Sequence, residues 1–558
     1  PVDWLKVNLV YSPKFQTAHN KKFADIIQTY NWDGTESFAK PTLNSLRESY
    51  DHFWYNNIRA VVTFDKQIAQ DHQLTVLGGY QQEDQKNNEL SAYREVFLLP
   101  NFQEIDAGNR ENELTGGNAS HWSLRSFFGR LNYNFKEKYL FEANARYDGS
   151  SRFASQNKYS FFPSFSAGWR VSQEPFMAPV SHVISDLKIR GSWGKLGNQD
   201  IGLYPFAAFV SIGSNNYMFD DKIFTGAALN TMANPGIRWE TTTVSDLGLD
   251  LTLWSKLNIT ADYFYRKTTD ILLQLDIPKS IGLGAPYQNA GVMENKGWEL
   301  AANYRDAINE FKYGLTINLS DVKNKVLDMR GVQRTGLQVN HEGYPMNSLY
   351  GYEAIGYFTD QEDVENHAKQ FGSVAPGDLK YKDQNGDGKI DNQDEIIMGS
   401  HLPRYTYSTN IDLAYKGIDL SIFLQGVGKA KGYLYRQGIM PFYEGGTVQE
   451  QHKDRWTPDN TDAAFPRLAF NEINNIQNST FWMKNASYLR VKNIQIGYTV
   501  PLSHGALEHI KGLRVYASGQ NLFTFDRYWD GYDPEGPIGD GSWYPQMKVY
   551  TVGLNVKL

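Results

Sequence analysis

The sequence predicts an all-β protein built as a transmembrane antiparallel barrel. Three observations predict it: apolar and polar residues alternate with period two in run after run, no segment is apolar enough to span a membrane as a helix, and the connections between runs alternate between short and long. Period-two alternation gives a strand one apolar and one polar face. In a soluble sandwich a second sheet covers the apolar face. In an outer-membrane barrel lipid covers it, and the polar face lines the lumen.

The pattern is clearest from Phe127 to Val171. Phe127, Leu131, Tyr133 and Phe135 occupy one face of a first run, with Arg130, Asn132 and Asn134 between them. After Lys136-Glu137-Lys138, Tyr139, Phe141, Ala143, Ala145 and Tyr147 alternate with Glu142, Asn144, Arg146 and Asp148. Phe161, Phe165, Ala167, Trp169 and Val171 repeat it. Upstream, Leu5, Val7, Leu9 and Tyr11 make one apolar face, Ile58, Ala60, Val62 and Phe64 the next, then Leu74, Val76 and Tyr80. Downstream come Leu187, Ile189 and Trp193, then a hairpin of residues 247–253 and 257–265 about Trp254-Ser255-Lys256. Strands follow near 298–304, 313–319, 405–413, 418–424, 486–500, 510–525 and 545–558, and a phase change between Val491 and Ile494 signals a bulge. This makes about sixteen strands, many near the ten or so residues that cross a bilayer at a tilt.

Short connections are expected at 65–73, 136–138, 254–256, 306–311 and 416–417, with intermediate ones near 173–186 and 501–509. Long ones are expected at 12–45, 85–118, 199–237, 271–293, 321–402, 428–485 and 525–545. Short periplasmic turns and long extracellular loops are the habit of outer-membrane barrels, and a soluble sandwich has no reason to sort its loops this way.

Composition agrees. Mean hydropathy is −0.52 and no run of 18 apolar residues occurs, which excludes spanning helices but not strands. A net charge of −7 supplies no basic surface for nucleic acid. The absence of Cys removes thiolate chemistry and disulfides. Pro1 runs almost at once into a strand without a signal peptide, so the chain reads as a fragment or processed product.

Several segments resemble one family. YLFEANARYDGSSRFASQNKYSFFPSFSAGWRVSQEPF, LKIRGSWGKLGNQ, NPGIRWETTTVSDLGLDL, ENKGWEL, SYLRVKNIQIGYTVP and GQNLFTFDRYWDGYDPE are similar to stretches of the SusC/RagA-type TonB-dependent outer-membrane transporters of Bacteroidetes. The resemblance implies a 22-stranded barrel around an N-terminal plug. It also implies coupling to TonB through a TonB box, a SusD-type surface lipoprotein as lid, and import of glycan fragments or, second, of peptides. It allows a dimer of transporter–lid pairs. Residues 1–558 would then be the C-terminal barrel portion, lacking plug and TonB box and some six strands short of closure. A plugless sixteen-stranded porin, a surface-binding barrel and an outer-membrane hydrolase are the alternatives. No HExxH, GxSxG or P-loop supports an enzyme.

Two sets of residues invite a site. Residues 383–394 fit the EF-hand loop template: Asp383, Asn385 and Asp387 at positions 1, 3 and 5, Gly388 at 6, the Lys389 carbonyl at 7, Asp391 at 9 and Asp394 at 12, with Ile390 packing inward. Hard oxygen ligands of this kind suit a structural Ca²⁺, and the alternative is a metal-free Asp/Asn/Gly turn. Tyr433, Tyr435, Tyr443, Tyr528, Trp529, Tyr532 and Trp543 are aromatic planes in two long loops that could stack on substrate; packing within the loops is the alternative.

Overall fold

The computed structural model describes residues 2–213, 216–470, 472–501 and 510–557. Among the described residues, sixteen strands of nine or more residues form the wall: β1 (Leu5–Ala24), β2 (Ser45–Ala69), β3 (His72–Phe97), β4 (Gly108–Phe135), β5 (Tyr139–Ser150), β6 (Tyr159–Arg170), β7 (Ile184–Asn198), β8 (Glu240–Leu253), β9 (Leu257–Gln274), β10 (Tyr287–Ile308), β11 (Phe311–Asp328), β12 (Tyr405–Tyr415), β13 (Ile418–Gly428), β14 (Met483–Val500), β15 (Gly512–Arg527) and β16 (Val549–Lys557). With the three-residue strand Lys431–Tyr433 they make one 17-stranded sheet. Two compact units share the chain, the first Pro1–Ala167, Trp193–Thr243 and Thr269–Asn289, the second Gly168–Ser192, Val244–Thr268 and Ala290–Leu558.

In the first unit β1 to β5 form a continuous antiparallel ladder. The β4–β5 register sets Leu131 opposite Ala143 and Tyr133 opposite Phe141 on one face, and Arg130 opposite Asn144 and Asn132 opposite Glu142 on the other. On the polar face Arg130 Nε donates to Asn144 at 2.8 Å, and the Asn144 amide donates to Glu142 at 2.7 Å. The apolar face is bare: Val7 and Leu9 are 71% and 75% exposed. Each such side chain in water forgoes roughly 1.5–3 kcal/mol of burial, so the face calls for lipid. The turn after β4 places Lys136 and Glu137 at φ of 56° and 55°, the left-handed pair that matches the twist of a tight hairpin.

Two expected loops are largely strand. β1 runs on to Ala24, and β3 and β4 extend through most of 85–118, leaving connections only at 25–44 and 98–107. The first four strands are 20, 25, 26 and 28 residues long, about twice what a bilayer needs. Past the apolar band both faces meet water, so alternation disappears while the backbone ladder continues. Polar pairs such as His19–Glu48 and Lys21–Glu104, both at 3.1 Å, decorate these extensions. Elsewhere in this unit Phe153, Phe162, Ile201, Ile237 and Trp239 form a small core, with Trp239 Nε1 donating to the Lys158 carbonyl at 3.0 Å.

In the second unit β10 to β16 follow one another in antiparallel register. The expected bulge is present: Phe423 pairs with Asn493 and Leu424 with Val491, so Lys492 is the extra residue. Lys416 and Gly417, at φ of 46° and 86°, close the β12–β13 hairpin. The turn expected at 306–311 tightens to 309–310, and that at 173–186 holds two short 3₁₀ turns, Val171–Gln173 and Pro175–Val180. Residues 502–509 of the 501–509 connection lie outside the described residues. At the opposite edge stand the long connections 329–404, 429–482 and 528–548. The first carries a four-stranded sheet, a second strand pair (Ala354–Tyr357 with Leu379–Tyr381) and one helical turn, Gln361–Asn366, capped by the Asp360 side chain.

Candidate functional site

The three long connections of the second unit pack into one body. Its core gathers Leu349 from the first, Tyr433, Leu434, Ile439, Met440, Phe465 and Trp482 from the second, and Tyr528 and Trp529 from the third. Trp482 is fully buried and its Nε1 donates to the Asn475 carbonyl at 2.9 Å.

Side-chain amides stitch the first two connections together. The Asn475 carbonyl oxygen accepts from Leu379 N–H and its amide donates to Asp378, both at 2.8 Å. Gln370 accepts from Tyr381 N–H at 2.7 Å, and Asn474 donates to the Leu379 carbonyl at 2.7 Å. Arg467 neutralises the fully buried Asp378 at 2.8 Å. Sequence reading missed Gln370, Asn474, Asn475 and Arg467, since isolated amides and a lone Arg in loops carry no local signature. His452 is likewise buried; its Nε2 donates to the Ile439 carbonyl at 2.8 Å and its Nδ1 accepts from Gln449 N–H at 2.9 Å. That arrangement requires a neutral ring, and burial holds its pKa below the ordinary value.

The third connection is tied to the wall. Arg490, fully buried on β14, reaches Asp533 at 2.7 Å and Glu535 at 2.6 Å, and the Tyr488 hydroxyl bonds Glu535 as well. Asp533, in a long polar connection, is thereby the partner of a buried guanidinium.

Most of the seven aromatics serve this packing. Tyr433, Tyr528 and Trp529 are buried in the core, with Tyr433 Oη accepting from Ser479 N–H at 3.0 Å. Tyr435 lies beside Tyr433, and Tyr532 donates to the Gly438 carbonyl at 2.7 Å while Trp543 packs edge-on against it. Tyr443 packs against the same core and also lines a cavity of about 320 Å³ whose other walls include Phe442, Pro466, Ile473 and Ile476. Phe442 and Glu444 at its rim hold φ of 59° and 49°, left-handed backbone that costs a non-glycine residue about 1–3 kcal/mol.

The 383–394 loop adopts the turn its template requires. Asp383 accepts from Gly386 N–H at 2.7 Å and Gly388 N–H at 2.9 Å, which holds its carboxyl below the usual range. Gly388 sits at φ 82°, and Ile390 is buried against Tyr352, Leu379 and Tyr381 as expected. Asp394 is fully buried and accepts from Gln384 N–H at 2.9 Å and Asp391 N–H at 2.8 Å, while Lys389 Nζ donates to the Asp391 carboxylate at 2.7 Å. Among the described residues no three His, Asp or Glu side chains gather tightly enough to hold a metal.

The family model for TonB dependent receptor-like β-barrels matches residues 3–522. The chain belongs to the TonB-dependent receptor β-barrel family. It is therefore an outer-membrane barrel chain, and its bare apolar faces are lipid-facing. It is 32% identical over 531 residues to TonB-dependent receptor P26 of Formosa agariphila, covering 90% of this chain and 53% of that protein. It is 30% identical over 465 residues to TonB-dependent receptor SusC of Bacteroides thetaiotaomicron, covering 79% and 44%. The chain thus spans about half the length of these relatives. Among solved structures, the RagAB peptide transporter superposes with a TM-score of 0.84 over all of this chain and 60% of that one, at 23% identity, a likeness of fold.

Proposed function

We propose that the whole protein is a TonB-dependent importer, a transporter and not an enzyme, that carries glycan fragments too large for porins across the outer membrane. A SusD-type lipoprotein would cover the long connections, and TonB would engage a plug outside these residues. The observation that carries the reading is the loop body: three connections folded into one ordered core with ligand-sized cavities, on the edge opposite the tight turns. Cells should take up labelled oligosaccharide only when both this gene and TonB are intact. Uptake that survives loss of either overturns the proposal. A peptide substrate is the second reading, favoured by the 320 Å³ cavity, where Arg467 is spent on Asp378 and Glu472 and the remaining walls are mainly apolar.

The calcium clip is proposed with the same residues, Asp383, Asn385, Asp387, Asp391, Asp394 and the Lys389 carbonyl. The template geometry at Asp383 and Gly388 supports it; the cation would have to gather carboxylates that do not cluster without it, and draw Asp391 from Lys389. Millimolar calcium should slow protease nicking within 383–394, and Asp383→Ala with Asp387→Ala should abolish that protection. Nicking indifferent to calcium and chelator removes the metal.

A further inference from the structure

The 320 Å³ cavity beside Tyr443 holds more negative charge than its own cation offsets. Its lining contains Glu444, Glu472 and Arg467, and Arg467 is turned onto the fully buried Asp378. Arg467 Nε and Nη2 both lie 2.8 Å from the Asp378 carboxylate, whereas Glu472 receives one longer contact from Nη2, at 3.3 Å. Three carboxylates against one guanidinium leave the group net negative. Glu472 is fixed in place: its Oε1 accepts from Asn474 N–H at 2.7 Å, and only 11% of its side-chain surface is exposed. Burial, joined by the charge of Asp378, raises its pKa, the mark of a carboxylate short of counter-charge. Glu444 at the rim accepts at 2.9 Å from the neutral Gln437 amide and keeps its charge. The neighbouring polar groups are committed elsewhere, Asn475 to Leu379 and Asp378 and the Trp482 indole to the Asn475 carbonyl. The remaining walls are the rings of Phe442 and Tyr443 and the aliphatic Pro441, Pro466, Ile473 and Ile476.

We infer that this cavity binds the basic side chain of a peptide, lysine or arginine, with its cationic tip at Glu472 and Glu444 and its methylene stem along Phe442, Tyr443 and Ile473. A buried carboxylate gains most from a partner that supplies charge and hydrogen bonds together. Aromatic faces attract the same cation and pack against its stem. A neutral apolar side chain would fill the space and leave the charge uncompensated. An amino sugar would bring the charge but also ring hydroxyls, for which prolines and isoleucines offer no partners. The inference rests on the peptide reading of the substrate and narrows it.

The test is calorimetric titration of the full-length protein in detergent with alanine-based peptides of equal length that differ at one central residue: lysine, arginine, norleucine or glutamate. Norleucine keeps the stem and removes the charge. The lysine or the arginine peptide should bind about tenfold tighter than the norleucine one, the scale of a hydrogen bond to a charged group, and the glutamate peptide should bind weakest. Glu472→Gln, which retains an acceptor for Asn474 N–H, should remove most of the preference. Glu444→Gln, at an exposed position compatible with folding, should reduce it. Tyr443→Ala should weaken the basic and norleucine peptides alike. Protease resistance of 429–482 checks each variant, and Glu444→Gln decides the matter if Glu472→Gln loosens the body. Equal affinity for basic and norleucine peptides, or a preference that survives these carboxylate substitutions, overturns the inference. A glucosamine oligomer that binds more tightly than the lysine peptide overturns the peptide class. Binding as expected with no TonB-dependent uptake of the lysine peptide sinks the import reading and leaves the subsite standing.

Discussion

Within the second unit, the wall and the loop body treat the same residue types in opposite ways. Val552 on β16 is 81% exposed and Ile496 on β14 is 52% exposed, whereas Trp482, Tyr433 and Leu434 in the connections have no exposure. On the wall an apolar side chain is placed by the solvent outside it, because lipid accepts it. In the loop body it is placed by protein from distant parts of the chain. The wall is thereby written locally, two residues at a time. The body is written in contacts between residues as far apart as Leu349 and Trp529.

If that contrast is right, the two regions should fail separately. Trp482→Ala should cost the body about 3–5 kcal/mol through the cavity it leaves. Limited proteolysis should then cut within 429–482 while the wall keeps its heat-resistant mobility in SDS gels. Simultaneous loss of both would show one cooperative unit and end the comparison. On the wall, Ala143→Arg should cost roughly 2–4 kcal/mol and Asn144→Arg only about 1 kcal/mol, from its lost bond to Arg130 and the like charge opposite it, since adjacent residues face different media. Unfolding in detergent or lipid measures it, and equal effects would contradict the register of β4 with β5.

A smaller effect is expected at the helical turn of the first long connection. Asp360 accepts Asp363 N–H at 2.8 Å, and Asp360→Ala should cost about 1 kcal/mol, visible as faster hydrogen exchange over 361–366 and nowhere on the wall. The mildest perturbation is pH. His452 must be neutral to accept from Gln449, and its folded pKa is lowered from 6.5. Its contribution is therefore complete above 6.5 and is lost as pH falls from there through the lowered value. Protease resistance of the body should decline over that window, and His452→Gln should flatten the decline.

The sequence legible on its own was the part in which one face meets lipid. All sixteen wall strands could be placed, as could the turns at 136–138, 254–256 and 416–417 and the extra residue near Lys492. The upper halves of β1 to β4 could not, because a ladder wet on both faces has no period to read. Residues 383–394 were legible because their turn is a local template, held by hydrogen bonds that span only a few residues. Tyr433, Tyr528 and Trp529 were visible as a class and misleading in position. Whether an aromatic in a loop shows its face or loses it is decided by partners such as Phe465 and Trp482, which no spacing announces.

The length of β4 has a topographic consequence. At about 3.4 Å per residue and a tilt near 45°, a 28-residue strand rises roughly 65 Å along the membrane normal, against a hydrocarbon core of about 30 Å. Because its turn end at Lys136 is tight, nearly all the surplus stands on the outer side. β1 to β4 thus form a stiff palisade reaching some 30 Å above the lipid. An antibody, a phage fibre or a neighbouring complex arriving from that flank would meet hydrogen-bonded sheet edge and charged rungs before any flexible loop.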